Sequence, residues 1–147
     1  MDELLALAQL PNIVGVKDAT GCVARLSQEL LRLPADFVWL SGDDGSSLGH
    51  VAHGGLGCIS TTANVAPALC AQAMRAALAG DFAQARRLHE RLMPLHEALF
   101  LEPNPCGVKY AMARLGLCRE DLRQPLLPVS QATRSAIDAA LAQADLG

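Results

Sequence analysis

Three short stretches of the sequence carry residue types that can do chemistry together. The apolar run NIVGVK (residues 12–17) ends in a lysine and turns at once into DATG, SGDDG (41–45) sets two carboxylates among glycines, and STTAN (60–64) is rich in hydroxyls. A lysine amine condenses with a ketone or aldehyde only when neutral, and burial at an apolar strand end disfavours the charged form. The resulting iminium withdraws electrons from the adjacent carbon and makes an enamine accessible. Covalent carbonyl chemistry, with Lys17 as nucleophile, is what this set suits. Plainer readings stand beside it. On spacing alone, an ion pair with Asp18, Asp43 or Asp44 accounts for a strand-end lysine better than catalysis does. Asp43 and Asp44 equally suit capping a helix that begins near Ser46, and Thr61 and Thr62 suit an ordinary turn. The SGDDGS stretch lacks the spacing and the lysine of a phosphate loop.

The elements that must position these residues follow from hydrophobic period. NIVGVK (12–17), DFVWLS (36–41) and LGCIS (56–60) are short apolar runs without strict alternation, which suits strands buried on both faces of a parallel sheet. Between them, CVARLSQELLRL (22–33) and SSLGHVAH (46–53) read as helices, the second closed by Gly54 and Gly55. A short helix precedes them over residues 2–10, stopped by Pro11. The order is that of a parallel α/β fold, in which function gathers in the loops after the strands. Lys17, the Asp43–Asp44 pair and the STTAN turn therefore share one mouth. Beyond residue 64 the pattern is helical: 66–80, 81–101 with Pro94 expected to kink or divide it, 104–116 and 130–144.

Composition excludes several classes. The 147 residues are 51% hydrophobic, enough for one core, and the formal charge of −3 gives no reason to expect nucleic acid or an anionic membrane as partner. No run approaches the roughly 18 apolar residues of a membrane span, and MDELLALAQL lacks the basic start of a secretory signal, so a cytoplasmic location is expected. The five cysteines form no CxxC pair and read as free, small apolar residues. His50 with His53, and His89 with His96, lack the companions of a zinc site, so no metal is expected.

At these residues the chain resembles the dihydrodipicolinate synthase and N-acetylneuraminate lyase group of pyruvate-dependent class I aldolases. The matching stretches are NIVGVKDATG, LSGDDGSSL, GGLGCISTTANVAP, RLMPLHEALFLEPNPCGVKYAMARLG and LRQPLLPVS, in the family's order over nearly the whole chain. SGDD, TAN and EPNP with VKYA are similar to the synthase branch. The resemblance implies that Lys17 is the Schiff-base lysine, that Gly42 and Asp43 lie on the second-substrate side, and that the backbone of Ile59 lies beside bound pyruvate. It also implies a lyase of lysine and diaminopimelate biosynthesis, joining pyruvate to L-aspartate 4-semialdehyde through an imine on lysine with no external cofactor. Lys109 also matches a family position, but as a residue of a packing helix.

An eight-stranded barrel takes roughly 250 residues, and this sequence holds three candidate strands. The implied fold is α/β: the C-terminal part of a TIM (β/α)8 barrel over residues 1–64, then a helical cluster over 65–147 that packs with it. The family's tyrosine relay and carboxylate-binding threonines belong to the other half, and Tyr110 matches neither relay position. Activity is expected only with a complementing N-terminal half, and the chain is expected to associate with that half or as a homo-oligomer. Two alternatives remain open: another class I aldolase acting on a sugar acid or different aldehyde, and a non-catalytic truncated product.

Overall fold

The computed structural model describes residues 2–146. Its α/β part begins with α1 (Asp2–Leu7), β1 (Gly15–Asp18), α2 (Val23–Leu30), β2 (Val38–Ser41) and α3 (Ser47–Ala52). The two strands run parallel, with Lys17 opposite Leu40 and Asp18 opposite Ser41. One further hydrogen bond at each end extends the ladder: Val38 N–H donates to the Val14 carbonyl at 2.9 Å and Gly42 N–H to that of Asp18 at 2.7 Å.

The third expected strand is reduced to a single parallel bridge between Ser41 and Cys58. The segment still runs along β2, with Leu56 N–H donating to Trp39, Ser41 N–H to Gly57 and Ile59 N–H to Ser41 at 2.8–2.9 Å. Among the described residues no strand pairs with its far side, and glycines at 54, 55 and 57 give it little side-chain packing to straighten it. Gly55 has a different task. A Cβ there would come within 2.3 Å of the His50 ring, so only glycine lets the chain double back so closely under α3.

The expectation of burial on both sheet faces is also corrected. Asp18, Trp39 and Ser41 are buried, whereas Lys17 and Ile59 are exposed. The covered face packs on α2 through Leu26, Leu33, Phe37 and Trp39, joined by Ile13 and Val16. The other face has no element over it among the described residues.

The helical part comprises α4 (Pro67–Leu78), α5 (Phe82–Ala98), α6 (Cys106–Arg114) and α7 (Gln131–Gln143), preceded by a 3-10 turn at Thr62–Asn64. Local chemistry places the starts. Pro67 opens α4, where a missing N–H costs nothing. The Asp81 carboxylate caps α5 by accepting from Gln84 N–H at 2.9 Å, and Ser130 caps α7 through Thr133 N–H. Helix α5 runs through Pro94 without dividing. Leu92 and Leu95, on either side of it, are fully buried, so core packing outweighs the lost hydrogen bond. These residues meet Leu99, Tyr110, Ile137 and Leu141 in one core. A smaller cluster of Val51, Ala77 and Ala85 joins α3 to α4 and α5.

Candidate active site

Lys17 sits at the carboxyl end of β1 on the open face of the sheet. Burial, the condition that would favour a neutral amine, is not supplied by the described residues. Nor is the ion-pair reading realised: among the described residues Lys17 has no carboxylate partner. Asp18 points the other way, accepting from Arg25 at 3.3 Å and from the Thr20 amide at 2.9 Å. The stem of Lys17 instead runs over Gly42, where any Cβ would lie 2.5 Å from the lysine Cε.

The carboxylate pair splits into two roles. Asp43 closes its own loop: its Oδ2 accepts from the Ser46 amide at 2.9 Å and from the Ser46 hydroxyl, while the Ser41 hydroxyl bridges its backbone. This is close to the capping role at the start of α3. Asp44 is buried and turns toward the STTAN loop instead. It accepts from the Ser60 hydroxyl and from the amides of Thr61 and Thr62 at 2.9 and 3.2 Å, so it caps the 3-10 turn.

His96 of α5 completes this network and was not singled out from the sequence as part of the site. Its Nδ1 lies 2.7 Å from the Thr62 hydroxyl and 3.9 Å from Asp44. Burial pushes its pKa down, partly opposed by the Asp44 charge, so a neutral imidazole is favoured. No local signal pointed to it, because its partners lie more than thirty residues away. The network thus ties the Asp43 loop, the turn after Ile59 and α5 into one unit.

Other candidates fall away from this mouth. Lys109 donates to the Asp121 carbonyl at 2.5 Å, in keeping with a packing role. The Tyr110 hydroxyl donates to the Asp138 carboxylate at 3.0–3.1 Å. His53 pairs with the Ser27 hydroxyl at 2.7 Å. Among the described residues no group of three His, Cys, Asp or Glu side chains is placed to hold a metal. The five cysteines are free. Burial, helped by Asp44, pushes the Cys58 thiol up to about 12 and that of Cys70 to about 11, so both are thiols rather than thiolates. No helix among the described residues is long and apolar enough to cross a membrane.

The family model for the dihydrodipicolinate synthetase family matches residues 1–144. The chain belongs to this family. It is 58% identical over 141 residues to the 4-hydroxy-tetrahydrodipicolinate synthase of Ruegeria pomeroyi, an alignment covering 96% of this chain and 49% of that protein. It superposes on the solved dihydrodipicolinate synthase of Aquifex aeolicus with a TM-score of 0.94 at 38% identity, over 99% of this chain and 50% of that one. The same scores and coverage hold for the chloride-inhibited enzyme of Acinetobacter baumannii solved with pyruvate. The chain therefore spans about half the length of the dihydrodipicolinate synthases it matches. It corresponds to their C-terminal half.

Proposed function

We propose that this chain carries the Schiff-base lysine of a 4-hydroxy-tetrahydrodipicolinate synthase and works only when the other half of the enzyme is supplied. The observation that carries this reading is Lys17 at a strand's carboxyl end, its stem laid over a glycine, in a chain 58% identical to a synthase of that name. The pyruvate in the Acinetobacter baumannii structure supports the first substrate.

In this reading the neutral amine of Lys17 attacks C2 of pyruvate, and water leaves to give an iminium. Loss of a proton from C3 gives the enamine, whose carbon attacks the aldehyde of L-aspartate 4-semialdehyde. Ring closure by the substrate amine then displaces Lys17, so no external cofactor is consumed. Gly42 and Asp43 border the second substrate, and the backbone of Ile59 borders pyruvate. Asp43 and Asp44 hold those loops in shape rather than transferring protons, since both carboxylates are already engaged by hydroxyls and amides. The parallel strands form part of an eight-stranded barrel, and the missing strands cover the open face and bury Lys17. Until that happens β1 and the 56–59 segment each expose an edge, so the chain associates with its complement or with itself.

For the chain alone, the exposure of Lys17 favours a second reading, a non-catalytic product. One experiment separates them. The chain is co-expressed with a complementing N-terminal half, then treated with pyruvate and borohydride and mapped by mass spectrometry. A reduced adduct on Lys17, absent without the second half, is expected. An adduct on Lys109, or none in a folded complex, overturns the synthase assignment.

A further inference from the structure

We propose that the space between α3, α4 and α5 is a binding site for a small, uncharged aromatic molecule of about two rings. The cavity measures about 250 Å³; Lys17, Gly42, Asp43 and Ile59 do not contribute to its wall, whereas Asp44, Ser60 and His96, which hold the neighbouring loops, form one end of it. It exists because the facing helices meet through small side chains. Cys70, Ala73 and Ala77 of α4 look across at Ala85 of α5, while Leu48, Met74 and Leu92 close the sides. The space is partly open to solvent, and its volume exceeds the roughly 150 Å³ in which an apolar cavity accepts one benzene ring.

The wall chemistry selects the occupant. The lining is mainly aliphatic and thiol, and Asp44 is its one charged residue, with a carboxylate already satisfied by Ser60, Thr61 and Thr62. An anion would meet that carboxylate, and a cation would shed its hydration against apolar walls for a group with little acceptor capacity left. One wall is aromatic. The rings of His89 and His96 have centroids 5.4 Å apart at a 43° tilt, a spacing within the range of aromatic contacts. His96 is committed to Thr62, whereas His89 is only partly buried and makes no hydrogen bond among the described residues. It offers a ring face and one polar atom to a ligand. Asp44 and Cys58 also belong to the segments that carry Asp43 and Ile59, so occupancy reaches the amides of Thr61 and Thr62.

Indole is the probe, with indole-3-acetate and tryptamine as its anionic and cationic counterparts, titrated into the chain labelled at alanine and methionine methyls. Saturable shifts are expected at Ala71, Ala73, Met74, Ala77 and Ala85, with a Kd below about 1 mM, and at least about tenfold weaker binding of both charged analogues. Ala71→Leu fills the space and is expected to weaken indole at least about tenfold, while Ala68→Leu on the exposed face leaves it unchanged. Shifts that do not saturate, that centre away from α4 and α5, or that persist in a folded Ala71→Leu chain overturn the site. Equal binding of the charged analogues does the same. Should Ala71→Leu not fold, the wild-type shift map and the neutral-to-charged ratio decide.

Discussion

Gly42 and Lys17 are in van der Waals competition: a methyl group on the first would sit 2.5 Å from Cε of the second and 2.9 Å from the Ala19 Cβ. Gly42→Ala is therefore expected to turn Lys17 away from its present line. The lysine can swing into solvent but Ala19 cannot, so the isolated chain should lose about 1–2 kcal/mol by urea unfolding. In the complemented enzyme the borohydride-trapped adduct should fall more than stability does. An unchanged adduct yield would show that the path of the lysine stem is irrelevant to the chemistry.

Lys17→Arg should abolish the pyruvate adduct in the complemented enzyme, because guanidinium stays protonated and cannot condense. The same exposed substitution should leave the unfolding midpoint of the 147-residue chain nearly unchanged. Equal labelling before and after the change would move the nucleophile elsewhere.

Asp44→Ala leaves two buried or half-buried amides and the Ser60 hydroxyl without their acceptor. A loss of about 2–4 kcal/mol is expected in urea unfolding, with Asp44→Asn recovering part of it because its carbonyl still accepts. Amide exchange at Thr61 and Thr62 should accelerate in the alanine variant before the rest of the chain responds.

Acid should weaken the fold below about pH 6.5. Burial holds the pKa of both His50 and His96 below the usual imidazole value, against opposing pulls from Asp18 and Asp44 respectively. When the folded pKa is the lower one, the unfolded chain binds the extra proton. The stabilisation is then complete above the unfolded pKa and is lost as pH falls from there toward the folded values. The slope for each histidine is at most about 1.4 kcal/mol per pH unit. Urea midpoints at pH 7.5, 6.5 and 5.5 test this, and His96→Gln should flatten the trend.

Thiol chemistry should follow burial. Cys22 is exposed and is expected to react first with iodoacetamide at pH 8. Cys58 and Cys70, held as thiols by burial and Asp44, should react mainly after unfolding. Mass spectrometry after brief labelling distinguishes them.

Much of this protein is written locally. The apolar run that ends at Lys17, the Asp81 cap and the alternation of strand and helix patterns all depend on residues a few positions apart, and the sequence alone determined them. The stretches from NIVGVKDATG to LRQPLLPVS likewise carry the family's pattern in the sequence itself. Burial did not follow from sequence, because it depends on what lies across the sheet. NIVGVK has the composition of a strand covered on both sides, yet among the described residues one side has no covering element, and Lys17 is exposed. The residues 56–60 read as a strand, but with a partner on one side only they make a single bridge. Pro94 reads as a helix breaker until Leu92 and Leu95 are seen to be locked in the core. The division of labour between Asp43 and Asp44, adjacent in the chain, was decided only in three dimensions. One carboxylate found Ser46 three residues away, whereas the other found Ser60, brought to it by the 56–60 segment lying along β2, and the neighbourhood of His96, brought to it by α5.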